Sequence, residues 1–146
     1  MELFMADKHT PEQRRFNMQQ IKSKNTKPEV LLRKILFSKG YRYRINSKNL
    51  PGKPDIVLKK YNTIIFVNGC FWHGHKNCTY FVIPKTNTDF WINKINANKN
   101  RDQNNFKSLL KLGWNIITIW ECELKKDNIE KTVNKLIEEL QNNIEK

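Results

Sequence analysis

Residues 63 to 78 read Thr63-Ile64-Ile65-Phe66-Val67-Asn68-Gly69-Cys70-Phe71-Trp72-His73-Gly74-His75-Lys76-Asn77-Cys78. The opening residues are β-branched or aromatic and have the composition of a central strand. The residues from Cys70 to Cys78 crowd two thiols, two imidazoles and two large rings into a short loop. A central strand that delivers such a loop sets both the sheet and the place where chemistry can occur.

The remaining cysteine, Cys122, lies far downstream in Trp120-Glu121-Cys122. Cys70, Cys78 and Cys122, with either His73 or His75, make one tetrahedral zinc set of Cys3His type. That set uses every thiol and leaves one imidazole over, a candidate for chemistry rather than structure. Buried free thiols are the plain alternative, but the Cys-x4-His-x2-Cys spacing favours a metal. A disulfide is the weaker rival, because the cysteine count is odd and residues 1 to 10 are too few and too charged for a secretory segment. No apolar run approaches transmembrane length, so no membrane partner is expected, and a reducing cytoplasmic setting is.

Working outward, the periodicity changes element by element. Thr10-Pro11-Glu12-Gln13 reads as a capping box with Pro at the first helical position, predicting a short helix to about Ile21. Thr26-Lys27-Pro28-Glu29 repeats the pattern and predicts a second helix, with Leu32, Ile35 and Leu36 inward, ending at Gly40. Tyr41, Tyr43 and Ile45 alternate with Arg42, Arg44 and Asn46, predicting a strand with one polar face. After the turn Leu50-Pro51-Gly52-Lys53-Pro54, a short strand from Asp55 to Leu58 pairs with the strand from Thr63 to Val67.

Beyond the loop, a long helix is predicted from about Asp89 to Leu112, stopping at Gly113. Its inward stripe is Trp91, Ile95, Asn98, Asp102, Phe106 and Leu109, so Asp102 points toward the protein body. Residues 115 to 120 form another buried strand. Asp127-Asn128-Ile129-Glu130 caps a final helix with Ile129, Val133, Leu136, Ile137 and Leu140 on one face. Strand, long helix and strand make one right-handed βαβ crossover. The expected architecture is a single α/β domain over residues 1–146, a small mixed sheet with helices on both sides.

The formal net charge is +13. It is concentrated in residues 1–113, which carry 22 Lys/Arg against 7 Asp/Glu, whereas residues 114–146 carry 5 against 7. Such a body of positive charge suggests a polyanion, most simply nucleic acid. The abundance of Lys and Asn also fits a plain compositional bias, so charge alone decides little. The basic residues do not gather on an amphipathic helix, which disfavours a membrane surface.

Acids are scarce in the middle of the chain: between Val30 and Trp120 there are only Asp55, Asp89 and Asp102. Asp55 opens a strand behind a rigid Pro-x-x-Pro turn, a good place to grip a hard cation such as Mg2+. A turn aspartate that merely satisfies backbone N–H groups is the plain reading. The hairpin brings the start of the Asp55 strand close to Val67 and Asn68 at the end of the next. The spare histidine of the loop then lies near Asp55, and the inward-facing Asp102 can orient it. Metal, carboxylates and imidazole form a workable set for phosphodiester hydrolysis. Phe71 and Trp72, in a polar loop tied to a metal, favour wedging between bases; Trp91, on an apolar stripe, reads first as packing.

Leu50-Pro51-Gly52-Lys53-Pro54-Asp55, Ile65-Phe66-Val67-Asn68-Gly69-Cys70-Phe71-Trp72-His73-Gly74-His75, Asp89-Phe90-Trp91, Arg101-Asp102, Leu112-Gly113-Trp114 and Trp120-Glu121-Cys122 together resemble the very short patch repair DNA mismatch endonucleases. The resemblance runs in order from about residue 7 to 124; a packing helix at about 127–144 lies beyond it. It implies a restriction-endonuclease-like fold with one structural zinc site. The implied activity is Mg2+-dependent nicking of duplex DNA on the 5′ side of the thymine in a T:G mismatch, the lesion left by 5-methylcytosine deamination, typically within CC(A/T)GG methylation sites.

Carried over by position, Asp55 resembles the metal-binding acid, with the Val67 carbonyl as second ligand. His73 resembles the general base and Asp102 its partner. Cys70, His75, Cys78 and Cys122 resemble the zinc set. Phe71, Trp72 and Trp91 match intercalating aromatics, and Arg14, Arg15 and Asn17 a DNA-clasping arm. Glu29 matches an acid near the metals, although capping alone explains it. Asn68 stands where a relative carries a histidine near the scissile phosphate; it can donate a hydrogen bond but cannot carry a proton. Other mismatch-repair proteins become candidate partners. A monomer is expected, since a two-fold dimer would present two equivalent sites to an asymmetric lesion. The alternative reading is a zinc-stabilised nucleic-acid-binding module without cleavage, or a related nuclease with another duplex target.

Overall fold

A computed structural model describes residues 26–45 and 47–145 of the chain. The helix expected from Thr10, and with it Arg14, Arg15 and Asn17, lies outside the described residues. The first described helix, α1, spans Lys27–Ser38 with Thr26 as its N-cap and Pro28 in its first turn. The cap is partial: Thr26 Oγ1 accepts from the Glu29 N–H at 3.5 Å, and its hydroxyl donates to the Glu29 carboxylate at 3.3 Å. Gly40 ends the helix at φ +92°, a left-handed conformation that suits glycine.

Four strands follow: β1 at Arg44–Ile45, β2 at Ile56–Leu58, β3 at Thr63–Asn68 and β4 at Asn115–Trp120. They form one sheet in the order β1-β2-β3-β4. β1, β2 and β3 run antiparallel in turn, while β3 and β4 run parallel with Ile65 opposite Ile117. Helix α2, Thr88–Lys111, connects that parallel pair, and α3, Ile129–Glu145, closes the described chain. Asn62 aligns the pair at its start: its carbonyl accepts from Asn115 N at 2.8 Å and its amide donates to the Gly113 carbonyl.

The period-two alternation sends the sheet's side chains to two cores. Ile56, Leu58, Ile65, Val67, Ile117 and Ile119 pack with Leu32 and Leu36 of α1 and Leu136 and Leu140 of α3. Val57, Ile64 and Phe66 face the other way, onto Leu109 and Phe106 of α2. The result is the small mixed sheet, covered on both faces, of a restriction-endonuclease-like α/β fold.

One local expectation is corrected. Of the strand proposed for residues 41–46, only Arg44–Ile45 pair among the described residues, and both are exposed. Tyr41 is taken by the helix end, where its N–H donates to Leu36 at 3.0 Å, and Tyr43 donates its hydroxyl to the Arg33 carbonyl at 3.1 Å. Only three residues of β2 offer a pairing edge. Before α3, the amide of Asn128 donates back to the Cys122 carbonyl at 3.2 Å and so anchors that loop. No described helix is long and apolar enough to cross a membrane.

Candidate active site and metal centre

The end of β3 and the start of β2 lie side by side, and this places the first acid. Asp55 Oδ2 accepts a hydrogen bond from the Val67 N–H at 2.7 Å. Glu29 and Arg33, one turn apart on α1, are 3% and 8% exposed and both bear on the Asp55 carboxylate. Burial pushes the Asp55 carboxyl up to about 7; the Val67 hydrogen bond opposes the rise, and Glu29 adds to it while Arg33 counters. Two carboxylates thus sit together, with Arg33 the positive charge that bears on Asp55. This oxygen-donor set fits a hard divalent cation. The carboxylate of Glu29 therefore does more than cap its helix.

Just past β3 the chain turns at Gly69, whose carbonyl accepts from the His73 N–H at 3.2 Å. Nδ1 of His73 then lies 2.6 Å from Oδ2 of Asp102 on α2. That is the length of a charge-assisted hydrogen bond in which the ring N–H donates. Asn98, one helical turn before Asp102, donates its amide to the Trp72 carbonyl at 2.8 Å and accepts from Arg101 at 2.8 Å. The helical stripe therefore holds the loop by its backbone as well as its imidazole.

The other imidazole turns away from this pair. His75 Nδ1 is 3.5 Å from Cys122 Sγ, and its ring stacks on Trp120 with centroids 4.0 Å apart. The ligand atoms of Cys70, His75, Cys78 and Cys122 all lie within 4.8 Å of one another. A tetrahedral site with Zn–S bonds of about 2.3 Å has edges of about 3.8 Å, so a modest contraction closes it. Burial pushes the Cys70 thiol up to about 12 and raises Cys122 too, while burial lowers His75 against the pull of Glu123. Three adjacent sulfurs ionise together only around a cation, and the donor set can hold one. All three cysteines are free of disulfide bonds.

The aromatic residues form one cluster. Phe71 touches Trp72, Trp91 and Phe81, with ring centroids 5.4, 5.5 and 6.2 Å away. Trp72 and Trp91 are partly exposed, whereas Phe71 is 1% exposed. In this conformation Phe71 is not presented to a duplex; it props the two tryptophans from beneath, because apolar neighbours surround it on both the loop and the helix. Phe90, at 57% exposure, extends the cluster outward against Trp91. Asn68 is 6% exposed at the end of β3, with no side-chain hydrogen bond among the described residues.

Sequence reasoning passed over Arg33 and the two bonds of Asn98. The signal for Arg33 was its spacing of four from Glu29, which puts both on one helical face. For Asn98 it was an amide on an otherwise apolar stripe, which must find partners once buried.

The family described as DNA mismatch endonuclease Vsr matches residues 6–79. Type II nicking enzyme V.NmeAIP of Neisseria meningitidis serogroup A is 52% identical over 137 residues, covering 93% of this chain and 97% of that protein. This match is longer than the stretch 7–124 that carries the motifs, so for this relative the similarity reaches beyond it. Type II nicking enzyme V.XorIIP of Xanthomonas oryzae is 48% identical over 120 residues, covering 82% of this chain and 88% of that protein. DNA mismatch endonuclease Vsr of Escherichia coli is 40% identical over 121 residues, covering 83% of this chain and 77% of that protein. With these similarities and its Asp55, His73–Asp102 and Cys3His groups, the chain belongs to the Vsr family of DNA mismatch endonucleases.

Proposed function

We propose that this protein is a DNA endonuclease that nicks duplex DNA 5′ to the thymine of a T:G mismatch, using Mg2+ at Asp55 and a structural Zn2+ in the Cys3His cluster. The observation that carries the reading is the 2.6 Å contact between His73 and Asp102, made on the loop that also carries three of the four clustered ligands. Asp55, Glu29 and the Val67 carbonyl would hold the magnesium, which when bound supplies Lewis-acid stabilisation of charge on the phosphate.

The chain's own groups account for the rest. Asp102 accepts the Nδ1 proton of His73 and so fixes the tautomer that leaves Nε2 with a lone pair. Nε2 takes a proton from the attacking water. Arg33 tempers the negative charge of the Glu29–Asp55 pair in the metal-free protein. Asn68, buried and with no side-chain hydrogen bond among the described residues, would donate to the phosphate without titrating. Asn98 and Arg101 keep the loop in register with the helix.

Trp72 and Trp91 are the wedge that enters the stack beside the mismatch, with Phe71 as its support. The arm carrying Arg14, Arg15 and Asn17 clasps the duplex in this reading. One chain acts on one lesion, as an asymmetric target requires, and residues 1–146 act as a single domain. Replacing His73 with Ala tests the reading: nicking should be lost while the melting temperature stays within a few degrees. Undiminished nicking by that variant would remove His73 as the base.

A further inference from the structure

Gly74 sits between the two imidazoles at φ +60°, and the side chain of Lys99 lies across it. A Cβ built on Gly74 would overlap Lys99 Cε, with Lys99 Nζ 3.0 Å away and Ile95 Cγ2 at 2.8 Å. The lysine stem is therefore pinned between α2 and the loop. Its ammonium lies 5.7 Å from the centre of the Phe81 ring, on the rim of the aromatic cluster. Cation–π contact of this kind orients an ammonium but does not neutralise it.

Among the described residues no acid forms an ion pair with this charge. Asp102, three positions on along the helix, turns its carboxylate to His73 Nδ1. That contact commits the nearest acid on the helix to the imidazole rather than to the lysine. Lys99 is partly buried, and a lysine held in one place gives up rotamer entropy that solvent alone does not return. A positioned cation with no counter-ion among the described residues, adjoining the residue after His73, is arranged for an anion from outside the chain.

We propose that Lys99 is a phosphate-binding residue: its ammonium takes a DNA phosphodiester oxygen beside the bond that His73 serves, positioning the strand against the imidazole. The inference rests on the nicking reading above and adds to it a cation carried by α2. Gly74 belongs to the same device, since any side chain there would displace the lysine. Phosphate contacts of this type orient the duplex without reading its sequence.

The test is the salt dependence of duplex binding. Wild type, Lys99→Met and Lys99→Arg are titrated by fluorescence anisotropy against a T:G duplex, without divalent cations, from about 50 to about 200 mM salt. Methionine keeps the apolar stem and removes the charge. The slope of log K against log salt should flatten by about 0.9 in Lys99→Met and return in Lys99→Arg. Matched duplex should show the same change. An unaltered slope in Lys99→Met overturns the inference and leaves a packing stem. A weaker affinity with unaltered slope overturns it in the same way. Wild-type protein that fails to bind the duplex would take down the nicking reading and this inference together. If Lys99→Met melts early, Lys99→Gln supplies the same comparison.

Discussion

His73 and Asp102 lie 29 positions apart in the chain, yet Nδ1 of one and Oδ2 of the other are 2.6 Å apart. A loop tied at Gly69 and a helix tied through Asn98 meet there. Asp102→Asn keeps the shape but no longer fixes the imidazole tautomer or stabilises its cation. Nicking should fall by about 10²- to 10⁴-fold, with duplex affinity within a factor of about three of wild type. Single-turnover rates and anisotropy titrations measure the two quantities separately.

Asp55 gives a pH signature. Its carboxyl is pushed up to about 7 from the usual 3.8, chiefly by burial, so the metal-free folded state holds this proton more tightly than the unfolded chain. That contribution to stability is fully present below about pH 4 and is lost as pH rises through about 7. In EDTA the protein should therefore lose stability, on the order of a few kcal/mol, between about pH 5 and pH 8. Mg2+ should restore it at the higher pH. Asp55→Asn should flatten both responses, as read by thermal melts in each buffer.

The Cys3His cluster predicts one zinc per chain. Cys122→Ser should lower bound zinc well below one equivalent by elemental analysis and lower the melting temperature. Removing the metal from wild type with a strong chelator should destabilise the loop in the same direction. A folded, zinc-free wild type with unchanged melting would refute the site.

Phe71 and the tryptophans separate packing from binding. Phe71→Ala empties a fully buried position and should cost about 3–5 kcal/mol of stability. Trp72→Ala and Trp91→Ala remove partly exposed rings and should weaken binding to T:G duplex by about 1–3 kcal/mol each if they stack on bases. Urea denaturation and equilibrium binding distinguish these outcomes.

Much of this was legible in the chain because short-range rules govern it. The β-branched and aromatic composition of residues 63–67 marked a central strand, and its side chains divide between the two cores. Helical spacing turned Asp102 inward, which is why its partnership with the spare imidazole was foreseeable. Spacing alone left His73 and His75 equivalent as zinc ligands; the stacking of His75 on Trp120 and its approach to Cys122 separate them in space.

What was not legible depends on packing between distant elements. Phe71 looked surplus in a polar loop, and only the arrival of Trp91 and Phe81 encloses it. Glu29 read as a capping residue because nothing local revealed that α1 would lay it beside Asp55. The strand around Tyr43 was overextended because its length is set by β2, not by its own alternation.

The most direct measurement is strand cleavage of end-labelled duplexes by purified protein. Three substrates are compared: T:G within CT(A/T)GG, the matched T:A pair, and T:G in unrelated sequence, each with Mg2+ or EDTA. A single Mg2+-dependent cut on the 5′ side of the mismatched thymine, absent from the matched duplex, is the predicted result. Equal cutting of the matched duplex, or no cutting of any mismatch in Mg2+, would contradict it.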